Sequence, residues 1–131
     1  MKYGKYIKEY NLLIYTPNGT MDLNMIQNYY EELNKIGKDK CLKRLINFNE
    51  LNHIDFGYKD MNAIRKMRDN TQKEYTKNIR ILLYAKNPLA IGLANMIRVL
   101  LQKEYYEIEL SRDLKEAAKW LGVPEEIIKT Q

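Results

Sequence analysis

The sequence has few of the residues from which disulfides, metal centres and phosphate-binding loops are built. It contains one cysteine, Cys41, and one histidine, His53, so it has no cysteine pair for an internal disulfide and no Cys/His cluster of zinc-binding spacing. Its six glycines form no Gly-rich phosphate loop. We therefore expect no bound metal and no cofactor, and a reducing compartment suits the single thiol.

Long apolar runs are also missing. Residues 1–6 lack the apolar centre of a signal peptide. The most apolar region, residues 88–101, is too short to cross a bilayer and is interrupted by Asn95 and Arg98. The sequence thus predicts a cytoplasmic protein without a membrane span.

No group of side chains matches a catalytic constellation. His53 and Asp55 are close in sequence, but no serine or cysteine nucleophile is spaced around them in a recognisable motif. The pairs Glu31-Glu32 and Glu125-Glu126 are adjacent, and adjacent residues of a helix point in different directions, so neither pair forms a catalytic dyad. We expect a protein that is not an enzyme.

What the sequence does contain is the material of one folded domain. The chain has 131 residues, of which 45% are hydrophobic and 30% are charged, and this is enough for one sizeable core. It has no linker, repeat or low-complexity tract. Residues 1–131 are therefore predicted to form a single domain.

Residues 79–101 are the centre of the predicted fold. Residues 79–85 have too few polar side chains to alternate, as in a parallel strand that is covered on both faces. Asn87 then supplies a capping oxygen and Pro88 suits the first helical position, so a helix should follow. A helix this apolar is buried within the monomer or, alternatively, contacts a second subunit of a homodimer.

The residues before this centre predict a hairpin, a helix and an inner strand. Residues 3–10 and 11–18 are two short strand-like segments that form the hairpin. Asp22 caps the next helix and Gly37 ends it. Residues 43–48 form the inner strand, after which the chain is expected to run as a polar loop and an irregular stretch as far as residue 57.

A basic helix is predicted from Met61 to about Asn78. Residues 59–80 hold seven basic and three acidic side chains, which is most of the formal net charge of +5. The helix either offers a surface to an acidic partner or forms a solvated face. The candidate partner-binding residues are Tyr58, Arg65, Lys66 and Arg68. Nucleic acid is not favoured as the partner, because the possible aromatic platforms, such as Tyr75 and Tyr105, belong to a chain-wide enrichment in tyrosine.

The last part of the chain predicts an edge strand and a helix. Residues 105–110 alternate, which indicates one wetter face. Ser111 is expected to cap the final helix, and Gly122 and Pro124 to end it. The predicted fold class is α/β, with a mixed, mainly parallel sheet of four or five strands flanked by about four helices. The predicted core consists of Leu45, Ile46, Ile81, Leu82, Leu83, Leu93, Ile97, Leu114 and Leu121.

Three segments of the C-terminal half carry a resemblance to a known family. They are residues 80–84, Gly92-Leu93-Ala94, and the ending Arg112-Asp113-Leu114-Lys115-Glu116-Ala117-Ala118-Lys119-Trp120-Leu121-Gly122. With the order of strands and helices, they resemble the STAS superfamily of bacterial anti-sigma factor antagonists, and within it an uncharacterised SpoIIAA-like branch. The resemblance implies a STAS-like fold and a regulatory role in binding another protein.

The chain departs from that superfamily at its regulatory turn. Antagonists of this type carry an Asp-Ser-Ser-Gly-like turn whose serine is phosphorylated to abolish binding of the partner kinase. The nearest segment here is residues 53–58, where Asp55 and Gly57 are present but no serine or threonine lies between them. The resemblance thus implies protein binding without the phosphorylation switch.

Small-molecule binding, of a lipid or an anionic metabolite, is the alternative function. Ligands of open α/β sheets lie beyond the carboxyl ends of the strands, where the candidate ligand-binding residues are Asp55, Lys86, Asn87 and Arg112. Lys86 would stand at the amino end of a helix, which favours an anion. A set of methionines would either line an apolar cavity of a few hundred cubic ångströms or simply fill the core: Met61, Met67 and Met96.

Overall fold

The computed structural model describes residues 2–37, 39–72, 78–102 and 106–129. Short 3₁₀ turns precede the second strand, at Lys8–Tyr10, and the second helix, at Tyr58–Asp60. The strands and helices follow in the order β1 (Gly4–Ile7), β2 (Leu12–Tyr15), β3 (Gly19–Asp22), α1 (Leu23–Ile36), β4 (Lys43–Asn47), β5 (Leu51–Asp55), α2 (Met61–Gln72), β6 (Ile79–Tyr84), α3 (Pro88–Leu101), β7 (Tyr106–Ser111), α4 (Leu114–Leu121) and α5 (Glu125–Lys129).

Five of these strands form one sheet, in the order β1-β2-β4-β6-β7. β1 is antiparallel to β2, whereas β2, β4, β6 and β7 are parallel to one another. The predicted α/β class with a mixed, mainly parallel sheet and an N-terminal hairpin is confirmed. From β2 onward the order never reverses, so each new parallel strand lies outside the previous one.

This strand order explains how the helices are distributed over the two faces. Crossovers of one hand that always step in the same direction leave their helices on the same face of the sheet. Accordingly, α1, α2 and α3 share one core with that face. The opposite face packs against α4 and α5, which contain 8 and 5 residues.

A second, two-stranded sheet corrects the prediction for residues 49–57. β3 and β5 pair in parallel, with Thr20 opposite His53 and Asp22 opposite Asp55, so the chain here is not a continuous polar loop followed by an irregular stretch. His53 and Asp55 are exposed and only Leu51 of this strand is buried. Because each strand is short and mostly polar, hydrophobic periodicity gives no sign of it.

The helix ends agree with the predicted caps at four positions, Asp22, Gly37, Asn87 and Gly122, and differ at one. The side chains of Asp22 and Asn87 accept hydrogen bonds from Met25 N and Ala90 N, and Gly122 ends α4 at φ +72°. Ser111, however, is the last residue of β7, and Asp113 caps α4 by accepting from Lys115 N at 2.8 Å. The side-chain oxygen closer to the first helical turn takes the capping role.

The core is centred on β6, as the sequence predicts. All residues of this strand except Arg80 are buried, and so is Ala85 after it. Of the nine predicted core residues, all but Leu114 are buried; Leu114, at the first turn of α4, is partly covered. α3 buries six of its residues, while Val99 on its outer side is 76% exposed. Residues 73–77 of the predicted basic helix and Tyr105 of the predicted last strand lie outside the described residues.

Asn11 joins the turn of the hairpin to the connection that leads into β4. It lies in the left-handed region at φ 52°, where asparagine is tolerated better than most residues. Its Oδ1 accepts from Tyr6 Oη at 2.8 Å and from Cys41 N at 2.7 Å, and its Nδ2 donates to Asp39 O at 3.0 Å. One side chain thereby fixes where β4 begins beside β2.

Truncation of the central strand tests this account of the core. Leu82 is fully buried, and its replacement by alanine leaves a cavity between the sheet and α4. We expect Leu82→Ala to lower the free energy of unfolding by about 2–5 kcal/mol, measured by urea denaturation. Val99→Ala, at an exposed position, is the matched control and should stay within about 0.5 kcal/mol of the parent. Equal losses in the two variants would contradict the assigned core.

Candidate functional site

Three of the candidate ligand-binding residues, Lys86, Asn87 and Arg112, lie just beyond the carboxyl ends of β6 and β7. There, Asn49 Oδ1 accepts from Lys86 N at 2.6 Å, and Asn87 Nδ2 donates to Asn49 O at 3.4 Å. The loop after β4 is thereby tied to the start of α3. Asn87 uses its remaining oxygen to cap α3, so it acts as a structural residue, whereas the side chain of Lys86 is exposed.

Lys86 opens onto a recess of about 300 Å³ between the sheet and the last two helices. The floor is apolar and the rim is polar, which is typical of small-molecule sites. Arg112 is exposed between β7 and α4 but does not line this recess. The lining residues are Ile14, Thr16, Leu45, Asn47, Asn49, Glu50, Tyr84, Lys86, Leu114, Ile128 and Lys129.

Asp55 lies elsewhere, at the carboxyl end of β5. It borders a separate recess of about 520 Å³ together with Asp22 and Asp60. Two of these carboxylates act as caps, since Asp22 accepts from Met25 N and Asp60 accepts from Gly57 N at 2.9 Å. The structure therefore does not bring Asp55 together with Lys86 in one anion-binding site.

The candidate partner-binding residues divide into exposed and buried ones. Tyr58 is 87% exposed in the turn before α2, and Arg65 and Lys66 are exposed on that helix. Arg68 does not belong to this surface. It is buried, and it donates to Leu100 O and to Asp69 Oδ1, each at 3.0 Å, which ties α2 to α3. Charge patterning identifies the basic helix but not which of its cations turns inward.

One of the two alternatives for the methionines, a cavity of a few hundred cubic ångströms beside Met96, does not match the apolar cavity found under α1. That cavity has a volume of about 40 Å³ and is lined by Met21 and Met25. Met61 is buried, and Met67 and Met96 are partly buried and pack against the main core. A volume of this size holds no more than one or two water molecules. Met61, Met67 and Met96 therefore pack the core and do not line a ligand cavity.

Arg44 is a buried cation in the main core, next to candidate reactive groups. Its Nε donates to Cys41 O at 2.8 Å and its Nη1 donates to Tyr29 Oη at 3.3 Å. Burial raises the pKa of the Cys41 thiol from 9.0 to about 11 and that of Tyr106 from 10.0 to about 12, although the charge of Arg44 opposes both shifts. Near neutral pH these groups are uncharged. An activated thiolate has the opposite shift, so the cluster is a structural feature.

Among the residues that the structure describes, no three His, Cys, Asp or Glu side chains come together as metal ligands would. Within the same ranges, no helix has both the length and the apolar composition needed to cross a bilayer.

The raised pKa of the buried Cys41 thiol makes the free energy of unfolding depend on pH in the alkaline range. Its pKa is higher in the folded chain than in the unfolded one, so it contributes stability below about pH 9 that is lost as the pH rises to about 11. Cys41→Ser removes the ionising group. We expect the stability difference between parent and variant to be constant below pH 9 and then to shift against the parent, on the order of 2 kcal/mol, by pH 11. A difference that stays constant to pH 11 would show that the folded thiol ionises normally.

Two comparisons with known proteins identify no relative of this chain. No model of a known protein family matches the chain, and no curated protein matches it either. The resemblance to STAS proteins, which rests on the three sequence segments and the order of elements, therefore stays a prediction.

Proposed function

We propose that the protein is a non-catalytic, STAS-like interaction module that binds an acidic surface of another protein through the start of α2. The observation that carries this proposal is the exposure of Tyr58, which is 87% accessible. A large aromatic ring held in water makes no contribution to the core. Tyrosine and arginine are also the side chains most enriched where protein interfaces gain their binding energy.

The charges around Tyr58 determine the kind of partner. Arg65 and Lys66 are exposed on the first turns of α2, and Lys59 is exposed beside Tyr58. Such a cluster favours an acidic partner, because complementary charge speeds encounter and rejects basic proteins. We define the Tyr58 surface by these residues: Tyr58, Lys59, Arg65 and Lys66.

The backbone that carries Tyr58 is already ordered. Asp60 N donates to Gly57 O at 2.9 Å, and Asp60 Oδ2 accepts from Gly57 N at 2.9 Å, so the turn is closed by two hydrogen bonds. A side chain presented from a closed turn loses less conformational entropy on binding than one on a loose loop. This supports recognition by a preformed surface.

The same turn supports binding that is not switched by phosphate. Residues 52–60 contain no serine or threonine, and the Gly57 N–H, a donor that a phosphate placed here could use, already bonds the carboxylate of Asp60. A tyrosine hydroxyl lies much farther from the backbone than a serine hydroxyl and cannot take its place. Binding is therefore constitutive or governed by the partner.

Substitutions at the Tyr58 surface test the interaction. The partner is first recovered from lysate of the source cell by cross-linking and is then purified. We expect Tyr58→Ala to weaken its binding by roughly thirtyfold, the loss typical of an interface hot spot, and Arg65→Glu/Lys66→Glu to slow association, as measured by surface plasmon resonance at two salt concentrations. Lys115→Glu/Lys119→Glu makes the same charge change on the exposed side of α4. This control should change neither the affinity for the partner nor the association rate. A partner lost with the α4 variant and retained by the Tyr58 variant would contradict the proposal.

Phosphosite mapping tests the absence of the switch. The purified protein is incubated with lysate and ATP and analysed by mass spectrometry, and no stoichiometric phosphate is expected between Asn52 and Asp60 because the only hydroxyl there belongs to Tyr58. Full phosphorylation in this segment, accompanied by weaker binding of the partner, would show that regulation follows the superfamily after all.

A further inference from the structure

The opposite face of the sheet carries a groove that is independent of the Tyr58 surface. The chain supplies three long helices to one face but only α4 and α5 to the other. These two short helices cover the part of that face formed by β4 and β6. Leu12 and Ile14 of β2 are also buried beneath them, whereas Lys5 of β1 is exposed, and two recesses lie between this residue and the carboxyl end of β2.

The two recesses meet at Ile14 and Thr16, which line both of them. The first is the 300 Å³ recess beside Lys86, and the second has a volume of about 490 Å³ and extends over β1. Lys5 is opposite Ile14 in the register of the hairpin, and cross-strand partners share a face, so both recesses lie on the same side of the sheet. Together they form one groove. The second recess is lined by Lys2, Tyr3, Gly4, Lys5, Ile14, Thr16 and Asn18.

The side chains that line the groove are predominantly positively charged. It is lined by four lysines and one acidic residue, Glu50. Among the described residues, no carboxylate pairs with Lys5, Lys86 or Lys129, whereas the salt bridges that are present lie elsewhere, as between Arg80 and Glu107. The ammonium of Lys2 lies 5.2 Å from the ring centroid of Tyr3. An anion placed in the groove therefore meets several cations that have no internal counter-ion.

The floor of the groove is apolar, and this sets a second requirement for a ligand. Ile14, Leu45 and Tyr84 of three neighbouring strands form it, and Leu114 and Ile128 close one side. A small inorganic anion would contact the lysines alone and make no use of this floor. A molecule that combines an anionic group with an apolar body satisfies both the cations of the rim and the floor.

We propose that this groove is a binding site for a small anionic amphiphile, namely a carboxylate, sulfonate or phosphate ester on an aromatic or aliphatic body. The anionic group lies toward Lys86 and Lys129, which line the same recess. The apolar body lies along Ile14 and Leu45 toward β1. This site would operate whether or not the Tyr58 surface binds a protein.

Two fluorescent probes that differ by one charge test the site. The first, 8-anilinonaphthalene-1-sulfonate, is an anionic amphiphile, and the second, N-phenyl-1-naphthylamine, has the same rings without the sulfonate. We expect the anionic probe to bind the native protein at one site, with a blue-shifted emission, and roughly tenfold more tightly than the neutral probe. Octanoate should displace it and octanol should not.

Variants then locate the binding. Lys86→Gln/Lys129→Gln should lower the affinity for the anionic probe roughly tenfold and change the affinity for the neutral probe less than twofold. Lys115→Gln/Lys119→Gln removes two exposed lysines of α4 that do not line the groove and should change neither affinity. Thr16→Glu places a carboxylate where the two recesses meet and should abolish binding of the anionic probe.

Thermal unfolding of every variant distinguishes a lost site from a lost fold, and only variants with a parental melting temperature are compared. The proposal is overturned if the anionic probe binds the Lys86→Gln/Lys129→Gln protein as tightly as the parent, if the α4 control loses the probe equally, or if the neutral probe binds as well as the anionic one. Because none of these measurements involves a protein partner, their failure leaves the Tyr58 surface untouched.

Discussion

The requirement that β6 be covered on both faces governs the rest of the structure. Its side chains alternate between two cores: Ile81 and Leu83 pack toward α1, α2 and α3, while Leu82 and Tyr84 pack toward α4 and α5. A central strand with no polar face needs a layer of helices on each side, since exposure of either face would leave several large apolar side chains in water. One face of β6 is covered by the long apolar α3, which Asn87 connects to the strand. The other face is covered by the short α4.

The two layers are unequal because the strand order runs in one direction. Classical open α/β sheets reverse their order once, and the crevice at the reversal is where ligands bind. Here β2, β4, β6 and β7 follow one another outward without a reversal, so no such crevice exists among them. The space for a ligand arises instead where α4 and α5 fail to reach β1. Lys86, predicted from the carboxyl-end rule, therefore lines this groove, whereas Asp55, predicted from the same rule, is the last residue of a strand in the small second sheet.

The elements that the sequence predicts correctly are those whose signal is local. Residues 79–85 show burial on both faces in their composition alone, and Asp22, Asn87 and Gly122 act through their own backbone neighbours. The errors concern long-range partners. β3 and β5 exist because they pair with each other, Arg68 turns inward because Leu100 O offers an acceptor, and the groove depends on Lys5 and Lys129 from opposite ends of the chain. None of these has a periodicity that a single sequence displays.

The outward strand order also bears on how the chain reaches this structure during synthesis. The hairpin of β1 and β2 comes first in the chain, and within it Asn11 Oδ1 accepts from Tyr6 Oη, while one further acceptor bond and one donor bond of the same side chain are made with the segment near Cys41. Each later strand then pairs with an edge that is already present, so no strand has to be inserted between two others that have paired. A nascent chain emerging from the ribosome can thus add one β-α unit at a time, and the closure of α4 and α5 over the finished sheet comes last.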